Sequence, residues 1–227
     1  FKIRDSEKEE DNTVTVSEIT TRHLRRLRAS ASDYLGKDVN AAVVTVPTNF
    51  SDAQKDALKA AAKEAGIEVL QFISEPTAAV LAYDARPDAK VSDKIIVVAD
   101  LGGTRSDVTV IASRGGIYTI LAAVHDFDVS GAKLDQVLID YFAKEFIKKH
   151  KSAGDPRENE RSMAKLKLEC EAVKKALSIG QAAQFAVESL AGGVDFNATI
   201  NRTRYDLLGN KLFGAFTRLV QHAVEKA

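Results

Sequence analysis

Apolar residues Ile19, Leu24, Leu27, Ala31 and Leu35 recur at helical spacing, and Gly36 follows them. The spacing predicts a helix over 17–35 that stops at the glycine. Residues 42–46 are a short β-branched run closed by Pro47, which predicts a buried strand. Ser51 and Gln54 then make a capping box for an Ala-rich helix, and Gly66 suits its left-handed end. A strand over 67–73 and a short helix over 75–83 complete an alternating first part. The polar run 6–12 reads as a loop or hairpin tip.

The loop 84–93 contains Pro and Asp and marks a boundary, because the pattern then changes. Strands are expected over 94–99, 107–113 and 117–124, the last two joined by a tight turn at Gly115-Gly116. Long helices follow over 132–150 and about 158–177. A hairpin is expected over 185–190 and 196–200 with Gly192-Gly193 in its turn, and a helix opens near Thr203. Crossover-linked and meander-linked strands together predict a mixed α/β pair of domains, 1–90 and 91–227.

Composition narrows the function classes. Of 227 residues 45% are hydrophobic and 28% charged, with 32 basic and 32 acidic side chains. Zero net charge predicts neither a general nucleic-acid binder nor a membrane binder. No apolar run approaches the ~18 residues of a membrane span. The single cysteine, Cys170, sets up no internal disulfide framework and fits a reducing, intracellular compartment. It reads as a packed small residue rather than a reactive thiol. The basic run 22–28 reads as the wet face of an amphipathic helix. Both ends of the sequence read as cut.

Candidate chemistry centres on the strand 95–99, which runs into Asp100 and then Gly102-Gly103 before a second strand opens at Asp107. Glycines let backbone N–H groups approach a phosphate, and a tight strand-to-strand turn presents them as an anion-binding nest. Asp100 at the strand end suits a Mg²⁺ ion held through its water shell. By itself such a turn reads first as a plain glycine hairpin. Glu171, Lys174, Lys175 and Ser178 share one helix face at i, i+3, i+4 and i+7 spacing, which by itself reads as a solvated helix surface.

Several segments resemble the heat shock protein 70 family in that family's order. Asp100 to Val108 resembles its second phosphate loop, DLGGGTFDV. Val43 to Pro47 with Phe50 resembles VTVPAYF, and Ser74 to Ala79 with Tyr83 resembles NEPTAAAIAY. Cys170 to Ser178 resembles CERAKRTLS, and Leu190 to Ile200 resembles SLYEGIDFYTSI. The resemblance implies an actin-like, ribonuclease H-like two-lobe fold that binds ATP and Mg²⁺ in its cleft. Residues 1–90 would be the C-terminal part of the first lobe and 91–227 the N-terminal part of the second. It places Asp100 near the metal, and Gly102, Gly103, Thr104 and Arg105 along the phosphates. Glu75 falls by the γ-phosphate and the attacking water, with Asp107 as a further catalytic position. Gly131 falls near the ribose, and Glu171, Lys174, Lys175 and Ser178 about the adenosine.

Thr104 stands in place of the family's third loop glycine, Arg105 in place of a threonine, Ser130 in place of a glycine and Lys175 in place of an arginine. Phosphoryl transfer depends on positioning and electrostatics. A bulky cation at Arg105 therefore predicts ATP binding with weak or no hydrolysis, an active ATPase chaperone being the alternative and an actin-like scaffold the third reading. These departures are similar to an atypical branch that serves in the fungal ribosome-associated complex. That resemblance implies a J-domain partner, the ribosome, and nascent polypeptide reached through a second chaperone, with a cytoplasmic, ribosome-associated location.

Overall fold

The computed structural model describes residues 2–4, 11–86 and 92–227. The chain divides into two compact units, Phe1–Ser92 and Asp93–Ala227. Of the polar run at 6–12, residues 6–10 lie outside the described residues. On either side of them β1 (Lys2–Arg4) and β2 (Asp11–Thr13) pair antiparallel, with Ile3 opposite Asn12. Residues 87–91 of the expected boundary loop also lie outside.

The first unit continues with α1 (Val16–Leu35), β3 (Ala41–Val46), α2 (Asp52–Glu64), β4 (Glu68–Ser74) and α3 (Glu75–Asp84). Strands β3 and β4 are parallel, Val46 opposite Ser74, so their connection must cross over, and α2 is that crossover. Ser51 and Gln54 form the expected capping box. A second box, Thr15 with Glu18, opens α1 one residue before the predicted start. Gly66 takes φ +81° beyond α2, and Ile67 N–H donates to the Ala62 carbonyl at 2.9 Å, which ends the helix in a left-handed turn. Buried Ala61 and Ala62 let α1 approach closely, and Thr21 Oγ1 donates to the Ala61 carbonyl. From the basic run, Arg28 donates to the Val39 carbonyl at 2.7 Å, while Arg22, His23, Arg25 and Arg26 are exposed.

The second unit begins with a meander of β5 (Lys94–Leu101), β6 (Ser106–Arg114) and β7 (Ile117–Asp126), in that spatial order. Then come α4 (Gly131–Lys149), α5 (Glu160–Ile179), the hairpin β8 (Ala182–Ala191) and β9 (Val194–Asn201), and α6 (Arg202–Lys226). Where one helix was expected from about 158, a 3-10 turn at Pro156–Glu158 precedes α5. The Asn159 carboxamide caps α5 by accepting from the Arg161 and Ser162 N–H groups, which resets the helix start. Asn201 caps α6 in the same way.

The main core lies between α4, α5 and the β8–β9 hairpin. Phe142, Phe146, Leu166, Cys170, Phe185 and Phe196 are fully buried there. Phe142 stacks on Phe185 with ring centroids 4.2 Å apart. Helix α6 returns over the meander and packs Ala223 against Val108 and Val110. Both helix packing and sheet packing therefore brace the ends of β5 and α4, where the glycine turn lies.

Candidate functional site

The turn between β5 and β6 is tied to the first turn of α4. Gly131 N–H donates to the Gly102 carbonyl and Ala132 N–H to the Gly103 carbonyl, both at 2.9 Å. Two of the orphan donors at the start of α4 thus hold the turn from behind, and the positive end of the helix points at it. Gly102 is obligatory for this shape: a Cβ there would sit 2.7 Å from the Arg105 carbonyl oxygen, which is backbone. Gly103 has nothing within 4 Å of its would-be Cβ, so its open side faces free space. A turn pinned at the back and bare in front can accept an anion through backbone amides.

Helix α5 brings its polar face to the same place. A pocket of about 470 Å³ is lined by Gly102, Gly103, Gly131, Lys174, Lys175 and Ser178, six of the residues singled out from sequence. Lys174 Nζ donates to the Gly131 carbonyl at 3.1 Å and to Asp135 Oδ2 at 2.9 Å. Its Nζ also lies 2.8 Å from Asp135 Oδ1, so the ammonium faces both carboxylate oxygens. Lys174 therefore fastens α5 to the start of α4. Glu171 is drawn aside instead: it pairs with Lys175 at 2.8 Å, whose ammonium holds the carboxyl below the usual carboxylate range. The pocket wall is completed by Leu101, Leu134, Leu177 and, from α6, Arg202, Tyr205, Asp206 and Phe213. These α6 residues were missed from sequence, because only the packing of α6 shows that they reach back to the turn. Arg202 donates to the Leu177 carbonyl and locks α6 onto the end of α5.

On the meander, Asp100 and Asp107 are register partners, and Asp107 is in turn opposite His125. Partners across antiparallel strands project to one face, so Asp100, Asp107 and His125 form a row. Leu101, one residue on, falls on the other face and lines the pocket. Arg105 folds onto this row: its Nε lies 2.8 Å from Asp107 Oδ2, with the two side chains 16% and 17% exposed. Phe127 stands 5.7 Å from the guanidinium and meets His125 edge-on at 5.6 Å. The pairing turns Arg105 back onto its own strand. Thr104 and Asp100 are exposed at the turn. Glu75 is the first residue of α3 in the other unit, exposed after the N-cap Ser74.

An ATP–Mg²⁺ site needs backbone donors for the phosphates and a carboxylate for the metal. The Gly102–Gly103 turn, open in front of Gly103, fits a phosphate chain. Among the described residues no group of three His, Cys, Asp or Glu side chains is placed to hold a metal ion by itself. Mg²⁺ needs no such cage, since one carboxylate plus phosphates and water suffice, and exposed Asp100 is of that kind. Cys170, by contrast, is fully buried, and burial pushes its thiol up to about 12.

This combination of a mixed α/β fold, a pinned glycine turn and a helix face beside it is that of a nucleotide-binding domain of the actin-like ATPase type. Residues 2–227 match the family model described as Hsp70 protein. The chain is 49% identical over 217 residues to "Ribosome-associated complex subunit SSZ1" of Saccharomyces cerevisiae, covering 96% of this chain and 40% of that protein. It is 48% identical to "Heat shock protein 70 homolog C57A7.12" of Schizosaccharomyces pombe, over 100% of this chain and 40% of that one. Against "Heat shock 70 kDa protein BIP3" of Oryza sativa subsp. japonica the identity is 40%, over 92% and 31%. The chain belongs to the Hsp70 family, and it spans about two-fifths of the length of the first two relatives.

Proposed function

We propose that this chain supplies part of the ATP site of an Hsp70-like co-chaperone subunit that binds ATP with Mg²⁺ and hydrolyses it weakly or not at all. The observation that carries the reading is the single pocket in which the pinned turn Gly102–Gly103, Gly131 and the α5 residues Lys174, Lys175 and Ser178 meet. The apolar wall of Leu134, Leu177, Tyr205 and Phe213 suits adenosine, and the glycine turn suits the phosphates. Because Leu101 and Asp100 project to opposite faces, the phosphate chain would cross the turn toward the Asp100–Asp107 row. Asp100 would carry the Mg²⁺, whose charge offsets that of the phosphates. The lobe assignment, residues 1–90 in the first and 91–227 in the second, belongs to the same reading.

Weak hydrolysis is supported by the engagement of Asp107 with Arg105. A carboxylate held by a guanidinium is a poorer acceptor for a water proton, and a water displaced from its line of attack reacts slowly. Glu75 keeps its carboxylate, so an active ATPase is the competing outcome. The 49% identity to a ribosome-associated complex subunit supports a cytoplasmic role on ribosomes, with a J-domain protein, in the folding of nascent chains. Among the described residues no helix is long and apolar enough to cross a membrane.

The test is a single-turnover experiment on the full-length protein. ATP at a hundred times its dissociation constant is expected to stabilise it by about 2.7 kcal/mol in thermal melts. The same protein should hold the nucleotide uncleaved over many minutes. Cleavage at the rate of an ordinary Hsp70 would sink the weak-hydrolysis reading, and the absence of any melting shift would sink the ATP site itself.

A further inference from the structure

The row Asp100–Asp107–His125 sets two carboxylates opposite one another on neighbouring strands, beside a turn that offers itself to a polyanion. Like charges directly opposite are destabilising, and a triphosphate approaching them adds to the repulsion. Such a site ordinarily requires a cation. Here one is built in: Arg105 lies 2.8 Å from Asp107, and neither side chain is more than 17% exposed. Partial burial keeps the pair from being screened as a surface pair would be. The ring of Phe127 at 5.7 Å adds a second restraint on the guanidinium, and Phe127 is itself steadied edge-on by His125. The Arg105 carbonyl lies under Gly102, so the residue that carries the cation also shapes the turn.

We propose that Arg105 is a resident counter-charge: by cancelling Asp107 it lets the turn hold a nucleoside triphosphate whose affinity depends little on divalent metal. The proposal rests on the ATP-binding reading above. Mg²⁺ still accompanies the nucleotide at Asp100 when it is present, but it is no longer needed to offset a doubly negative row. Arg105 acts through Asp107, as a positioning residue, and makes no phosphate contact of its own. A threonine at 105 would leave the row with two uncompensated carboxylates and restore the need for metal.

The experiment measures ATP affinity of the full-length protein by calorimetry, once with excess Mg²⁺ and once with EDTA. The wild-type protein is expected to lose less than about threefold on metal removal, and Arg105→Thr more than about tenfold. Arg105→Lys keeps a cation and should stay near wild type. The decisive variant is Arg105→Thr with Asp107→Asn: removing the uncompensated charge should return affinity in EDTA toward the wild-type value. Melting of each nucleotide-free variant confirms that it is folded. Wild-type affinity that collapses in EDTA overturns the proposal while leaving ATP binding intact. A double variant that is not rescued overturns it as well, because Arg105 would then contact phosphate directly. Absence of binding even with Mg²⁺ refutes the ATP site and, with it, this inference.

Discussion

Gly102 and Gly103 are adjacent and chemically identical, yet the structure gives them different burdens. A Cβ on Gly102 would strike the Arg105 carbonyl at 2.7 Å, whereas one on Gly103 would meet nothing. Gly102→Ala must therefore shift the backbone of the turn, and it is expected to lower ATP affinity at least about tenfold. Gly103→Ala should leave the nucleotide-free melting temperature unchanged and affect only ligand approach. Thermal melts of both variants with and without ATP separate the two effects. Cys170 makes a second prediction at this scale. Its buried thiol titrates at about 12 instead of its ordinary 9.0, with Asp135 and Glu169 adding to the effect of burial. The native protein thus binds the thiol proton more tightly than the unfolded chain does. That contribution to stability is fully present below about pH 9 and is lost as pH rises toward 12. Native protein should resist thiol alkylation at neutral pH and react fully in denaturant. Rapid alkylation of the native form would show the site to be open.

At the scale of elements, Lys174 decides how α5 meets α4. It reaches Asp135 and the Gly131 carbonyl together, with the two side chains 22% and 18% exposed. Lys174→Met leaves Asp135 half-buried without its partner, which is expected to cost about 1–3 kcal/mol after allowing for partial solvent screening. Adding Asp135→Asn should recover part of that loss, and urea melts of the three variants give the coupling. Much at this scale was legible in the sequence. The Ser51–Gln54 box, the glycine turns at Gly115-Gly116 and Gly192-Gly193, and the β-branched runs all act through neighbours a few residues away. The cap at Asn159 is not legible, because the charged run 157–161 carries no apolar spacing that separates the 3-10 turn from the helix after it. The α6 wall of the pocket was invisible for another reason. Arg202, Tyr205 and Phe213 reach Lys175 and Leu101 only through tertiary packing, which no local spacing encodes. The family resemblance marks Arg105 as a cation near phosphate, but its partner Asp107 and the ring of Phe127 come from strand register and the fold of the turn.

Across the whole molecule the sheets are unequally covered. Helix α6 packs on β6 and β7 of the meander and reaches β5 least, so one face of β5 stays open. Ile95 is 58% exposed there, and Val97 and Leu101 are each 43% exposed on the same face. Their register partners Ala112, Val110 and Ser106 are buried, so the apolar surface is continuous up to the line where α6 ends its cover. In the first unit Val43 and Leu70 are likewise exposed, on β3 and β4. Contiguous apolar surface beside a strand edge promotes association in water. The 227-residue chain on its own is therefore expected to bind a hydrophobic dye in the native state and to associate as concentration rises. Replacing Ile95 and Val97 by threonine keeps the β preference and removes apolar area, so both signals should fall while circular dichroism is unchanged. If dye binding survives that double substitution, the open face of β5 is not its source, and the exposed strands of the first unit become the surface to alter next.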